Sequence, residues 1–300
     1  MSNLKEIREH INSVRDTRKI TNAMYMISSN KLRKARKMLD DTEDYFHELR
    51  AMIDRIARNI PAGTEDVFLE THSDVPAKER RKGYLILTAD KGLAGAYNHN
   101  VLKLALQHIS EDNIRDNYKL YVVGEMGRHF FLNRKMAVDE AFRYTAQNPT
   151  MHRAREISSS VIEDYMSRRL DEVYLIYTVM EAAGVCEARF EKLLPLDLIT
   201  DVVRKKSASG EFYEDFMMKP SPAAVLDNIV PNYVNGYIYG ALVETFCSEQ
   251  HSRMTAMESA GRNAEEMIAR LGMEYNRRRQ ELITQEITEV MGGARALRRK

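Results

Sequence analysis

The stretch LTADKGLAGAYN, residues 87–98, is the part of this sequence most like an active site. It follows an apolar β-type run and precedes a helical pattern, the place where phosphate-binding loops sit. Its glycines, Gly92 and Gly95, are spaced GxxG rather than as the three-glycine dinucleotide fingerprint, and no GxxxxGK(S/T) occurs in the chain. Two readings stay open: a glycine-rich turn between strand and helix, or an anion site at a helix N-terminus. The eight histidines, at 10, 47, 72, 99, 108, 129, 152 and 251, do not form an i,i+4 pair with a nearby acid, and no cysteine pair joins them. A metal site is therefore not expected. There is no GxSxG elbow. Acidic pairs such as Glu265-Glu266 fall on helix surfaces, where solvated carboxylates are ordinary.

Two basic clusters remain: KLRKARK at 31–37, with five cations in seven residues, and NRRRQ at 276–280, beside the polar array Thr284, Gln285, Glu286, Thr288 and Glu289. Basic runs suggest polyanion binding, but the 300-residue chain has a net charge of only +1. A nucleic-acid partner is not expected. Cys186 and Cys247 stand apart, as reduced thiols do. The longest apolar run, YLILTA at 84–89, is strand-sized, well short of the roughly 20 residues that span a bilayer. MSNLKEIREHINSV mixes acids and bases and has no apolar core of a secretory signal, nor the Arg- and Ser-rich bias of a transit peptide.

What positions these clusters follows from punctuation. All seven prolines lie between 61 and 231, and the first glycine is Gly63. The ends are thus free of the strongest helix breaker, which predicts two long helices flanking a compact middle. In the N-terminal arm Leu4, Ile7, Ile11 and Val14 step by three and four. The stripe is read through Thr17, Ile20, Met24 and Ile27, then, after a shift, Leu32, Ala35, Leu39, Phe46, Leu49, Ile53, Ile56 and Ile60. Pro61 and Gly63 would stop a helix of about 57 residues, roughly 85 Å at 1.5 Å per residue. In the C-terminal arm Met254, Met257, Gly261, Ala264, Ile268, Leu271, Tyr275, Arg278 and Leu282 alternate by three and four, with Ile283, Ile287 and Val290 one position over, and Gly292-Gly293 as the stop. Two such seams in one chain predict an antiparallel intramolecular coiled coil. It is expected to set 18–37 beside 276–290. Between them, RKGYLILT (81–88), YKLYVVG (118–124) and DEVYLIYT (171–178) alternate with helical 98–110 and 151–168, and ARFEKLLPL (188–196) reads as an edge strand. The middle is thus a small Rossmann-like α/β domain with a mostly parallel sheet. The expected division is 1–60 for the first helix, 78–200 for the α/β domain, 201–222 for a connecting loop and 223–300 for the second helix.

Two motifs carry a resemblance. In LKEIREHINSVRDTRKITNAMYMISSNKLRKA, Ile7, Arg8, Ile11, Ser13, Val14, Thr17, Lys19, Ile20, Thr21, Ala23, Met24, Met26, Lys31 and Leu32 resemble the opening helix of the gamma-subunit family of F-type ATP synthases. RMTAMESAGRNAEEMIARLGMEYNRRRQELITQEITEVMGGARAL is similar to that family's closing helix, at Arg253, Met254, Ala256, Met257, Ala260, Asn263, Ala264, Tyr275, Asn276, Arg279, Gln280, Ile283, Thr284, Glu286 and Glu289. TADKGLAGAYN looks like the family's central turn, with Ala89 and Ala94 in place of its usual Ser and Cys. Tyr25 and Asn30 are also less usual for the family, and the tail runs on as RALRRK. The likeness covers essentially the whole chain.

The resemblance implies a non-catalytic rotor shaft, one copy per complex, without a cofactor of its own. Its coiled coil would enter and turn within the hexamer of alpha and beta subunits. Its α/β domain would meet the ring of c subunits and the epsilon subunit, at the cytoplasmic face of a bacterial plasma membrane. It implies Lys19, Met24, Arg279, Gln280, Thr284, Glu286 and Glu289 as hexamer contacts. The cysteine pair of redox-regulated chloroplast forms is not apparent. The alternative reading is a small α/β enzyme that holds a nucleotide or phosphate at 87–98.

Overall fold

A computed structural model of the chain describes residues 4–59, 67–68, 75–76, 79–111, 117–181, 184–196, 219 and 221–298. The elements in chain order are α1 (Leu4–Asn59), β1 (Lys82–Leu87), α2 (Tyr97–Glu111), β2 (Tyr118–Val123), α3 (Glu125–Asn133), α4 (Met151–Met166), β3 (Glu172–Met180), β4 (Cys186–Leu194) and α5 (Pro222–Arg298). The chain falls into two compact units, Asn30–Ser252 and Met1–Ser29 with Arg253–Lys300.

The larger unit is built on a four-stranded sheet in the order β2-β1-β3-β4. Strand β1 runs parallel to β2 and β3, with Lys82 opposite both Tyr118 and Glu172, and β4 closes the edge antiparallel to β3. All six residues of β1 are buried. A strand covered on both faces needs apolar side chains without alternation, which is why KGYLIL reads as an unbroken run. On one face Tyr84, Ile86, Leu120, Val122 and Ile176 pack with Val101, Leu102, Ala105 and Ile109 of α2 and Phe131 of α3. On the other, the Tyr121 hydroxyl donates to Asp164 of α4. Helix α5 lies against β3, where the Ser248 hydroxyl donates to the Thr178 carbonyl at 3.3 Å.

Helix α3 is absent from the sequence-based expectation. Its nine residues include Gly127, whose amide donates to Thr88 Oγ1 at 3.0 Å. A Cβ there would stand 2.6 Å from that oxygen, so close helix–strand approach selects the glycine. Charges are buried at the other end of the strands. Asp171, 2% exposed, accepts from the Arg81 amide at 2.7 Å and its guanidinium at 3.1 and 3.2 Å. Glu172 accepts from Arg80 at 2.8 Å and the Tyr174 hydroxyl at 2.9 Å. Each buried carboxylate is thus compensated, as burial demands.

In the smaller unit, α1 and α5 pack antiparallel. Ile7, Ile11 and Val14 meet Leu271, Met267 and Tyr275. Arg18 Nη1 lies 3.1 Å from Glu265 Oε1, and a Cβ on Gly261 would stand 3.7 Å from Thr21 Oγ1. Numbers rise along one helix as they fall along the other.

Three expectations about the arms are corrected. The α1 stripe does not pass through Ile20 and Ile27, which are 62% and 55% exposed. It keeps strict steps of four and three through Arg18, Thr21, Tyr25 and Ser28 to Leu32 and Ala35, with Thr21, Ser28, Leu32 and Ala35 buried. No shift occurs; polar residues occupy seam positions. On α5, Met257, Ala264 and Leu271 are buried one heptad apart, but Leu282, Ile283, Ile287 and Val290 are exposed. Helix α1 begins at Leu4, opposite the turn after Tyr275, and none of its described residues faces them. For the same reason 276–290 does not lie beside 18–37. Nor do Gly292-Gly293 end the helix, which runs to Arg298; two glycines lower helix propensity by about 1 kcal/mol each without blocking a hydrogen bond. Ile60, the Pro61 and Gly63 stop, the Phe46 side chain and most of the 201–222 loop lie outside the described residues.

Leu271 gives the coil a measurable test. Its side chain fills the seam between Ile7 and Ile11. Leu271→Ala should cost about 2–3 kcal/mol of local stability, read as faster amide exchange in 4–29 and 253–278. Leu282→Ala, at an exposed position, should change nothing there. Equal exchange in both variants would contradict the seam.

Candidate partner-contact surface

The β1–α2 turn comes first, because two readings of it were open. Its donors are engaged internally. Thr88 N donates to the Val123 carbonyl at 2.9 Å, and Ala89 N to Asn98 Oδ1 at 3.0 Å. Asp90 Oδ1 accepts from the Glu125 amide at 3.3 Å, and its second oxygen takes the Thr145 hydroxyl. Asp90 thereby sets a carboxylate of the protein itself at the N-terminus of α3. The glycine requirement is conformational: Gly95 has φ 57°. The turn also holds Leu93 at φ 62° and 64% exposed, an apolar side chain aimed at solvent.

The arms present a different surface. A groove of about 350 Å³ runs between Arg18, Lys19, Asn22 and Tyr25 of α1 and Met257, Gly261 and Glu265 of α5. Lys19 stands at its rim, 77% exposed and 2.9 Å from Asp16 Oδ1. Met24 is half-buried one turn on. Arg279, Gln280, Thr284, Glu286 and Glu289 are all exposed on the stretch of α5 beyond the end of its pairing with α1. There Glu289 Oε1 accepts from Gln285 at 3.0 Å, and the Thr284 carbonyl accepts the Thr288 hydroxyl at 2.7 Å. Of the seven predicted contact residues, Lys19 and Met24 thus stand on α1, with Lys19 at the groove, and the other five on the exposed stretch of α5. The structure adds the exposed apolar side chains Ile20, Met26 and Ile27 on α1, and Leu282, Ile283, Ile287, Val290 and Met291 on α5; all but Met26 and Met291 were assigned to the seam. Counting the alternation strictly from Ile7, whatever residue types it met, would have found the first three. An apolar patch of this extent is what a monomer hides and a subunit offers to its partner.

A family model described as ATP synthase matches residues 3–297. The ATP synthase gamma chain of Ruminiclostridium cellulolyticum is 41% identical over 298 residues, covering 99% of this chain and 99% of that one. The chain belongs to the ATP synthase gamma chain family. The sodium ion specific gamma chain of Acetobacterium woodii is 37% identical, covering 98% of this chain and 99% of its own. Among solved structures, a chain of the Euglena gracilis mitochondrial ATP synthase, OSCP/F1/c-ring in rotational state 3, matches with a TM-score of 0.68 at 18% identity, over 98% of this chain and 94% of that chain. A chain from the central stalk/c-ring of the Tetrahymena thermophila enzyme matches with a TM-score of 0.56 at 21% identity, over 80% of this chain and 99% of that chain. These two share the fold: long terminal helices with a small α/β domain. Membership makes this a non-catalytic subunit, the central rotor shaft of an F-type ATP synthase. No helix among the described residues is long and apolar enough to cross a membrane.

Proposed function

We propose that the two groups of contact residues are the surfaces through which this shaft and its alpha–beta hexamer act on each other. The bare, apolar stretch of α5 carries the reading: Leu282, Ile283, Ile287, Val290 and Met291 are exposed on a helix that has left its partner. Apolar groups there slide against a sleeve without being locked by directional bonds. Arg279, Gln280, Thr284, Glu286 and Glu289, interspersed with them, and Lys19 and Met24 on α1 supply the unequal contacts. A turning surface with unequal faces meets three beta subunits differently at any instant, and differential contact shifts each toward a different state. The α/β domain then takes the c-subunit ring and the epsilon subunit, in one copy per complex, at the cytoplasmic face of the bacterial plasma membrane.

Tagged chain recovered from its own cells should bring down alpha, beta, epsilon and c subunits together. Recovery without alpha and beta would end this reading. Met24 gives a finer test. A lysine at this half-buried position can extend its charge to solvent, so the fold survives, yet a charge is added to the surface offered to the hexamer. Met24→Lys should leave ATP hydrolysis within about twofold and reduce ions pumped per ATP by about fivefold, the effect of one misplaced charge contact of about 1 kcal/mol. Hydrolysis and pumping falling in proportion would show a loss of folded complex, not of coupling.

A further inference from the structure

No residue of α5 from Tyr233 to Ser252 is exposed. Thr245, Phe246, Cys247 and Ser248 follow one another there, and all four are buried. Consecutive helical residues point about 100° apart, so a helix buried at four in a row is covered on every side. Helix α1 passes the same domain, where Arg36 Nη2 lies 3.8 Å from Met180 Sδ. It keeps one side open, with Arg33, Lys34, Arg36 and Lys37 exposed. The α/β domain thus encloses α5 and leaves α1 at its surface.

Burial alone does not stop a helix from turning in its socket, because apolar contact has no direction. Three hydrogen bonds supply direction. Asn235 Oδ1 accepts from the Ser158 hydroxyl of α4. The Tyr237 hydroxyl donates to Glu191 of β4, which also takes the Tyr177 hydroxyl at 3.2 Å. The Ser248 hydroxyl donates to the Thr178 carbonyl of β3 at 3.3 Å. Asn235 and Tyr237 lie about 200° apart around the helix, so α4 and β4 hold it from opposite sides. Ser248 stands about 20 Å beyond Asn235, at 1.5 Å per residue. Opposed holds resist rotation about the helix axis, and their separation along it resists tilting.

We propose that α5 is the driven helix of the shaft. Torque passes from the α/β domain into α5 through the positioning residues Asn235, Tyr237 and Ser248, and α1 is carried along by its seam with α5. The inference rests on the reading above in which the α/β domain meets the c-subunit ring. A marker fixed to the domain itself tests the joint whatever drives the domain.

In the assembled complex, with the alpha–beta hexamer held on a surface and a bead on the α/β domain, the resting angular spread of the bead reads the stiffness of the joint. Ser158→Ala, Tyr237→Phe and Ser248→Ala together remove the three bonds with little change of shape, and Glu191 keeps Tyr177. Each bond contributes about 1 kcal/mol, more than thermal energy, so the spread should grow about twofold while ATP hydrolysis is unchanged. Arg36→Met removes the α1 cation beside Met180 and should leave the spread as it is. Leu226→Ala deletes a buried apolar group of α5; it should lower the melting temperature without widening the spread. An unchanged spread in the triple variant, or an equal increase in either control, would overturn the proposal. Should the triple variant fail to assemble, Tyr237→Phe alone decides: a wider spread is expected, and the spread of the natural chain refutes it.

Discussion

Gly124→Ala should abolish the folded α/β domain or cost about 4 kcal/mol or more. Gly124 follows β2 with φ 91° and ψ 138°, a region in which side chains other than glycine carry roughly 1–3 kcal/mol of strain. Its new Cβ would stand 2.2 Å from the Thr88 carbonyl oxygen, 2.7 Å from its carbon and 2.9 Å from the Ala89 oxygen. Backbone atoms cannot rotate aside as a side chain can. They are also held where they are, because Thr88 N donates to Val123 O at 2.9 Å and Gly124 N to Tyr144 O at 3.0 Å. Relief would require breaking the β1–β2 ladder. Gly92→Ala is the control, since nothing lies within 4 Å of its Cβ position. Urea midpoints decide the matter: equal midpoints for the two variants would show that the close approach is not real.

The second large effect lies at the opposite end of the strands. Asp164, 6% exposed, takes Lys119 at 2.6 Å, Arg169 at 2.7 Å and the Tyr121 hydroxyl. Asp164→Ala leaves that hydroxyl buried without its acceptor and takes one of two carboxylates from each cation, Arg169 keeping Glu163 at 3.3 Å. Breaking a buried pair costs about 3–5 kcal/mol. Lys119 is 40% exposed and keeps Asp139 at 2.9 Å, so about 3 kcal/mol is expected, read from urea titration. Loss below about 1 kcal/mol would mean that water replaces the carboxylate.

The same network predicts a pH profile. Burial acts against the charge of Asp164 and Asp139, but hydrogen bonds and charge from Lys119, with Tyr121 and Arg169 at Asp164, outweigh it and hold both pKa values low. Glu172 is held low by Tyr174 and Arg80 against the same burial. For a lowered carboxylate the stabilisation is present above the unfolded value, about 4, and is lost as pH falls through the folded one. Lys119 is the converse case. Burial works to lower its pKa, but the bonds to Asp164 and Asp139 raise it. Its stabilisation is complete below the unfolded value of about 10.4 and fades as pH rises beyond it. The melting temperature should therefore be flat between about pH 5 and 9 and fall on both sides. Asp164→Asn should lower the plateau and flatten the acid limb.

The sheet was legible in the sequence because its central strands β1 and β3 are largely buried, and KGYLIL and EVYLIYTVM carry that burial as apolar runs. Helix α3 was not, because EMGRHFFLN is short, contains a glycine and buries Arg128. Asp164, Asp171 and Glu172 look like solvated charges until the fold brings Lys119 and Tyr121 of β2 to Asp164, Arg81 to Asp171 and Arg80 to Glu172. The coil was half legible. Its direction and α5 seam follow from periodicity, but Thr21 and Ser28 hold seam positions while Ile20 and Ile27 face outward. Periodicity within one chain says which residues share a face. It does not say whether that face belongs to the sister helix or to another subunit. Family resemblance supplied Lys19, Met24 and the Arg279–Glu289 group, and the accessible apolar residues around them came only from the structure.

The early start of α1 has a mechanical consequence. Beyond the turn after Tyr275, α5 goes on to Arg298 without a partner helix among the described residues, some 20 residues or about 30 Å at 1.5 Å per residue. Two helices zipped along a seam resist bending and twisting together, because either motion must shear the contacts between them. One helix has only its own hydrogen-bond ladder. Gly292 and Gly293, with open space around both, soften that ladder further. Under an applied torque, elastic strain therefore gathers in the solitary tip rather than in the paired segment. The tip is the compliant spring of this unit, and the seam from Ile7 to Glu265 is its stiff drive.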